Sequence, residues 1–291
     1  MTHLFLSDVH IGRHSPERDR QIRHALIRLI QYAQQQKMQI HVLGDLFDYW
    51  MEYPGHTPDL GADVLRAFSE YHTATGLKPT YITGNHDNWT RGHFANQGFD
   101  VQPEYKILSL DSVRVFMHHG DGLANPEFHY PRPLFHRIIR HPLFVRLYQF
   151  LLPPRYGLEL MKWFSARKGK RLQIVSQGLN AWSESLLQAQ ISTDGRTMEG
   201  HPMDRDSIDV VMNGHVHRAV RKKTDNGLML QLPAFFHQYH LLQYTNGAFT
   251  FVTWNNEQQC LSTTEPAKSI PSARRADARK ELAFTGKAVK Y

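Results

Sequence analysis

Apolar residues along the first third of the chain fall in short runs, and each run stops at a polar cluster. Leu4-Phe5-Leu6 halts at Ser7-Asp8-Val9-His10-Ile11-Gly12. Ile40, Val42 and Leu43 halt at Gly44-Asp45-Leu46-Phe47-Asp48, and Tyr81-Ile82-Thr83 at Gly84-Asn85-His86-Asp87. Short apolar runs bounded by turn residues predict buried strands. Between them the period changes to that of a helix. Ser15-Pro16 supplies an N-cap and a first helical residue, and Ile22, Leu26, Leu29, Ile30 and Ala33 then share one face. Val64, Leu65 and Phe68 predict a second helix over residues 60–71. Strand, helix, strand, helix, strand, with every polar cluster after a strand, is an α/β pattern that gathers side chains at one edge of a sheet.

Further strands are expected at residues 105–108 and 113–117, the second running into His118-His119-Gly120-Asp121. Alternation turns His118 away from His119 and into packing. Residues 122–175 interrupt the pattern with prolines at 126, 131, 133, 142, 153 and 154. Within them Leu143, Phe144, Leu147, Phe150 and Leu151 share a short apolar helical face. Leu158, Met161 and Phe164 form a second one, ahead of Arg167-Lys168-Gly169-Lys170-Arg171. A helix over residues 172–190 returns the chain to the body. Ile208, Val210 and Val211 then make a strand closing on Asn213-Gly214-His215-Val216-His217. Three strands at 228–232, 239–244 and 249–254 are expected to be antiparallel, with Thr245-Asn246-Gly247 as a hairpin turn. From residue 262 the chain is polar, basic and aperiodic, which predicts a disordered tail. The expected organisation is one domain over residues 1–261, carrying a helical insertion at 122–175, and a tail at 262–291.

Charge separates these parts. The chain of 291 residues has a formal charge of +7. Residues 125–175 hold ten Lys/Arg against two Glu, and residues 262–291 hold seven Lys/Arg against three Asp/Glu. The insertion at +8 and the tail at +4 therefore leave a body of −5. A basic insertion suits an anionic membrane surface, while the acidic body disfavours nucleic acid. Cys260 is the only cysteine, so no intramolecular disulfide forms and a reducing compartment is expected. No apolar run reaches the roughly 18–20 residues of a spanning helix. Met1-Thr2-His3-Leu4-Phe5 lacks the basic and long apolar regions of a signal peptide, so the expected location is the cytoplasm.

Asp8/His10, Asp45, Asn85/His86, His119 and His215/His217 follow five expected strands. One histidine at a strand end is more often structural than a ligand; five clusters in the same position point to a shared metal site. Mixed carboxylate, imidazole and amide donors suit manganese or iron, with zinc also compatible. Seven candidate ligands suit two ions bridged by a carboxylate. Asp48 and Asp121 read equally well as orienting groups and as ordinary loop carboxylates. The apolar insertion reads either as a core helix or as a lid over a lipid. Its proline density and its alternation of Leu/Phe with Arg favour the lid.

As a series, Asp8-x-His10, Gly44-Asp45, Gly84-Asn85-His86-Asp87, His119-Gly120 and Gly214-His215-x-His217 resemble the calcineurin-like metallophosphoesterase superfamily, over residues 4 to about 254. The resemblance implies an α/β fold, a β-sandwich of mixed sheets flanked by helices. It implies two divalent ions, one on Asp8, His10 and His217, the other on Asn85, His119 and His215, with Asp45 between them. It also implies in-line attack on phosphorus by a metal-bridging hydroxide. His86, held by Asp87, would stabilise charge or protonate the leaving group.

Gly44-Asp45-Leu46-Phe47-Asp48-Tyr49-Trp50, His119-Gly120-Asp121-Gly122-Leu123 and the place of the insertion are similar to the UDP-2,3-diacylglucosamine pyrophosphatases of lipid A synthesis. That likeness implies cleavage of an acylated nucleotide sugar to UMP and a diacylated sugar 1-phosphate, peripherally at the inner face of the cytoplasmic membrane. Leu143, Phe144, Leu147 and Phe150 would then meet acyl chains, and Arg167, Lys168, Lys170 and Arg171 phosphate or anionic headgroups. Many members of that group carry Arg where this chain has His86, a form shared with general phosphoesterases. A phosphoesterase with a non-lipid substrate and a non-catalytic scaffold are the competing readings; scaffolds typically lose ligands, and none is missing here.

Overall fold

The computed structural model describes residues 1–166, 172–189 and 208–264. Its first part alternates as the apolar pattern requires: β1 (His3–Leu6), α1 (Pro16–Gln35), β2 (Gln39–Leu43), α2 (Ala62–Thr75) and β3 (Thr80–Ile82). Ser15 caps α1 by accepting from the Arg18 N–H, and Pro16 occupies the first turn, where its missing N–H costs nothing. A short α3 (His93–Asn96) precedes β4 (Asp100–Gln102), β5 (Tyr105–Leu110) and β6 (Val113–His118). The insertion follows with α4 (Leu134–Arg140), α5 (Pro142–Leu151) and α6 (Pro154–Ala166), and α7 (Leu172–Ala189) runs along the body. The chain closes with β7 (Val210–Asn213), β8 (Val220–Thr224), β9 (Gly227–Gln231), α8 (Phe235–Gln238), β10 (His240–Thr245), β11 (Ala248–Asn255) and β12 (Cys260–Thr263).

Two mixed sheets result. One has the order β12-β11-β10-β1-β2-β3-β4, parallel from β1 to β4 and antiparallel from β1 through β12. The other has the order β5-β6-β7-β9-β8, with β6, β7 and β9 parallel. Phe5, Leu43, Ile82 and Phe251 of the first sheet meet Val115, Met117, Met212 and Leu230 of the second in the central core. The outer face of the first sheet packs on α1 and α2 through Leu4, Leu6, Ile22, Leu26 and Phe68. The outer face of the second packs on α7 through Phe116, Val211, Leu179 and Leu186. This is the expected α/β sandwich of mixed sheets flanked by helices.

Three expectations change. The strand near 228–232 belongs to the second sheet, parallel to β7 and antiparallel to β8, and does not pair with β10. The boundary expected at residue 261 falls inside β12, which pairs with β11 from Cys260 to Thr263. The tail from residue 265 lies outside the described residues. Phe144 points inward: with Val145, Tyr148, Leu158 and Met161 it packs on Met51, Tyr53, Trp89 and Ile139. It therefore fastens the insertion to the body, whereas Leu143, Leu147 and Phe150 of the same helix are exposed.

Hydrogen bonds complete this attachment. The Trp89 indole N–H donates to the Ile139 carbonyl at 2.8 Å, and the Gln149 amide to the Glu52 carbonyl at 2.7 Å. Arg140 donates to the Gly84 carbonyl at 2.7 Å and to Asp121 at 2.8 Å. Trp89 and Met51 lie just beyond the polar loops that follow β3 and β2, so the insertion rests on those loops directly. No helix among the described residues is long and apolar enough to cross a membrane.

Candidate metal centre

The polar loops after β1, β2, β3, β6 and β7 converge at one end of the sandwich. Asp8, His10, Asp45 and His119 are buried, and Asn85, His86, His215 and His217 are half-buried. Their backbone is unusual. Asp8, His10, Asp45, His215 and His217 all have φ between 51° and 68°. Non-glycine residues avoid this left-handed region, and a cluster of such exceptions marks a site whose surroundings enforce it. Two glycines allow the loops to approach. A Cβ on Gly84 would sit 2.1 Å from Asp45 Oδ1, and one on Gly214 would sit 2.0 Å from Ser7 Oγ.

Donor atoms gather in overlapping groups. Asp8 Oδ1 lies 3.1 Å from His217 Nε2 and 3.7 Å from His10 Nε2. His10 Nε2 and His217 Nε2 face each other at 3.3 Å. On the other side, His119 Nε2 lies 3.2 Å from Asn85 Oδ1 and 3.2 Å from His215 Nδ1. Asp45 Oδ2 sits between the groups, 3.3 Å from His119 Nε2 and 3.7 Å from His10 Nε2. Asp8, His10 and His217 can hold one ion, and Asp45, His119 and His215 another. Asp8 Oδ1 is buried and accepts no hydrogen bond, and imidazole nitrogens converge around it. This donor set fits divalent ions, which would satisfy lone pairs that the protein leaves facing one another.

Supporting contacts aim the donors. His10 Nδ1 donates to Asp48 Oδ1 at 3.1 Å, and His119 Nδ1 donates to the Leu43 carbonyl at 2.8 Å. These bonds fix the tautomers so that each Nε2 presents a lone pair inward. Ser7 Oγ and the His215 N–H both donate to Asp8 Oδ2, leaving Oδ1 toward the centre. Asp48 is thus an orienting group. Asp121 has a different role: Arg140, Arg132 and His136 of the insertion surround it, so it ties that segment down.

Asp87 departs from expectation. Its two oxygens accept from the Tyr81 hydroxyl and the Gly84, Leu46 and Phe47 N–H groups. With both oxygens committed to shaping the loop, Asp87 is not what holds His86. That task falls to the Asp48 carbonyl, 2.7 Å from His86 Nδ1. His86 Nε2 faces Asp45 Oδ2 at 4.0 Å. His118 points away, as alternation requires. It packs edge-on against Trp182, and burial pushes its pKa down to about 3.

The electrostatics of the centre favour positive charge. Burial opposes ionisation of Asp8, yet His10, His217 and His119 hold it well below the ordinary carboxylate range. Burial opposes ionisation of Asp45 too, and His119, His86 and His10 outweigh it. Burial likewise disfavours protonated His10 and His119, but the carboxylates lift them to about 9 and about 10. The carboxylates demand positive charge, and protons on imidazoles supply it when no cation does. Cations and protons therefore compete for the same nitrogens, and loading would release protons.

Among the expected contacts outside the centre, Arg167, Lys168, Lys170 and Arg171 lie outside the described residues. Sequence reading missed Arg132 and Arg140. Both sit in the basic insertion, but no spacing rule connects them with Asp121.

Residues 1–219 match the family model described as calcineurin-like phosphoesterase. The UDP-2,3-diacylglucosamine hydrolase of Photorhabdus laumondii subsp. laumondii is 28% identical over 223 residues, which covers 75% of this chain and 82% of that one. The enzyme of the same name from Proteus mirabilis is 26% identical over 219 residues, again 75% and 82%. The phosphoesterase YfcE of E. coli overlays with a TM-score of 0.41 and 13% identity, over 92% of this chain and 100% of that one. The converging donors and the family match lead to one conclusion: the chain belongs to the calcineurin-like phosphoesterase family and is a metal-dependent hydrolase.

Proposed function

We propose that the protein cleaves the diphosphate of a UDP-diacylglucosamine, releasing UMP and a diacylated sugar 1-phosphate, while bound peripherally to an anionic membrane surface. The observation that carries this reading is the distribution of apolar surface. Of eleven exposed large apolar side chains among the described residues, nine lie between Leu134 and Trp163. Phe150 is 84% exposed. A segment that displays Leu143, Leu147 and Phe150 to water while resting on the metal-site loops suits acyl chains whose headgroup reaches the centre. The names of the curated relatives point the same way.

In this reading Asp8, His10, Asp45, Asn85, His119, His215 and His217 would hold two divalent ions; manganese suits the donors. When bound, such ions neutralise phosphoryl oxygens and activate water. The remaining roles belong to side chains. Asp48 keeps the His10 ring aimed, and its carbonyl accepts from His86 Nδ1. That bond leaves His86 Nε2 facing the centre. From Nε2, His86 is placed to donate a proton to a phosphoryl or departing oxygen, which would lower the barrier to cleavage. Asp87 holds the loop that presents Asn85 and His86.

The test is UMP release by the manganese-loaded protein from UDP-2,3-diacylglucosamine and from the same molecule without acyl chains. Faster turnover of the acylated substrate is expected. Equal turnover removes the lid role, and activity confined to generic phosphodiesters moves the protein to the general phosphoesterases.

A further inference from the structure

A second concavity of about 720 Å³ lies between the insertion and the body. None of the seven proposed metal ligands lines it. Its size is that of a small-molecule site, and its charge is one-sided. Arg91, Arg132, Arg137, Arg140 and Arg146 face it against two carboxylates, Glu52 and Glu104. Both carboxylates are occupied. Glu52 accepts from the Trp50 indole and from the Arg91 and His93 N–H groups. Glu104 accepts from Arg132 and from the Ala124 N–H.

The arginines divide into two sets. Arg132 and Arg140 are bound to Glu104, Asp121 and the Gly84 carbonyl. Even so, the Nε atom of each is buried without an acceptor. The Arg91 guanidinium, among the described residues, reaches only the neutral Gln149 amide oxygen, at 3.4 Å. Arg137 and Arg146, from α4 and α5, form no ion pair among the described residues. The cavity thus holds more guanidinium charge and more N–H donors than the described residues answer. Arg91, Arg137 and Arg146 are exposed along this concavity, and their shared sign of charge attracts an anion that can reach them together. Phosphoryl oxygens match the guanidinium fork in geometry and charge.

We propose that this cavity binds a phosphoryl group, of a nucleotide or of a phospholipid headgroup, through Arg91, Arg137 and Arg146, as an anion site separate from the metal centre. The site stands without the substrate reading above, since its test measures binding and not turnover.

The experiment compares the metal-loaded full chain with Arg137→Gln/Arg146→Gln in three binding assays: calorimetry with inorganic phosphate, calorimetry with UMP, and co-flotation with phosphatidylglycerol vesicles. Both side chains are exposed, so metal content and melting temperature should hold and serve as the folding control. Arg155→Gln/Lys162→Gln removes equal charge from the same insertion outside the cavity. The double cavity variant is expected to lose about tenfold or more in affinity for at least one probe, with the control pair unaffected. Loss with UMP assigns the site to a nucleotide, loss with vesicles to a headgroup, and loss with all three to phosphate in general. Unchanged affinity for all probes, or an equal loss in the control pair, overturns the proposal.

Discussion

The metal centre and the insertion rest on each other yet are built in opposite ways. The centre is polar and buried or half-buried, and three of its donors are aimed by neighbours: His10 by Asp48, His119 by the Leu43 carbonyl, Asp8 by Ser7. The insertion displays apolar side chains to water, and it is attached through the cluster around Trp89, the ion group around Asp121, hydrogen bonds to the Glu52 and Gly84 carbonyls, and the packing of Phe128 against α7. Rigid geometry suits groups that must meet a reacting phosphorus within tenths of an ångström. Apolar side chains displayed to water suit a surface that would admit a long flexible apolar ligand. In the proposed function chemistry belongs to the first region and recognition to the second, so substitutions in the two should fail differently.

The largest effect is expected from Asp45→Ala. Removing the carboxylate that faces both halves of the centre should lower turnover by more than the about 10–100-fold typical of losing an orienting partner, with metal content falling in parallel. Retained activity in a metal-replete assay would break the comparison at its firmest point. Next comes His86→Ala, expected to reduce kcat by about 100-fold with KM nearly unchanged, the range of a proton donor. A KM increase at constant kcat would instead make His86 a binding group.

Asp121→Ala acts at the seam. It removes the carboxylate facing buried Arg132 and half-buried Arg140, which keep Glu104 and the Gly84 carbonyl, so the cost should be less than the about 3–5 kcal/mol of breaking a fully buried pair. Limited proteolysis should then cut between residues 130 and 166 while the sandwich stays intact. The pH dependence follows from the same group. Burial works against the charge on Asp121, but Arg140, His136, His119 and Arg132 hold its carboxyl well below the ordinary value of 3.8. A carboxyl whose folded pKa is depressed stabilises fully above its unfolded value and loses that contribution as pH falls toward the folded one. Proteolysis of the wild-type insertion should therefore be flat through neutrality and increase only in acid.

The smallest change in stability is expected for Phe150→Ser. An exposed side chain contributes within about 0.5 kcal/mol, so the melting temperature should hold while KM for an acylated substrate rises. A lowered melting temperature would show that the residue packs in solution.

The centre was legible because its motifs are local. Each donor lies within a few residues of a strand end, so Asp8, His10, Asp45, Asn85, His119, His215 and His217 could be gathered by assuming only that the strands share a sheet edge. The central core followed from the same runs. What the pattern hid was set by contacts distant in sequence. β8, Val220–Thr224, is an exposed edge strand with Arg221, Lys222 and Lys223 in its middle and no apolar alternation. β12 is four residues long, and only its pairing with β11 makes it a strand. Phe144 and Phe150 share an apolar stripe, yet one packs on Trp89 and the other meets water. Helical periodicity marks a face but not what lies opposite it. The role expected of Asp87 failed for a similar reason, since adjacency to His86 says nothing of the N–H groups that Gly84 and Leu46 turn toward the carboxylate.

The left-handed backbone at Asp8, His10, Asp45, His215 and His217 has a consequence for relatives of this chain. Each such residue costs roughly 1–2 kcal/mol in that conformation, and glycine would adopt it without steric penalty. Glycine brings no donor atom, so in the proposed function the need for an ion favours the larger side chain. A lineage released from that need would gain stability by drifting to glycine at these five positions, whereas neutral decay would scatter alanine, serine or asparagine. Glycine there is thus a readable mark of a relative that has kept the fold and abandoned the metal.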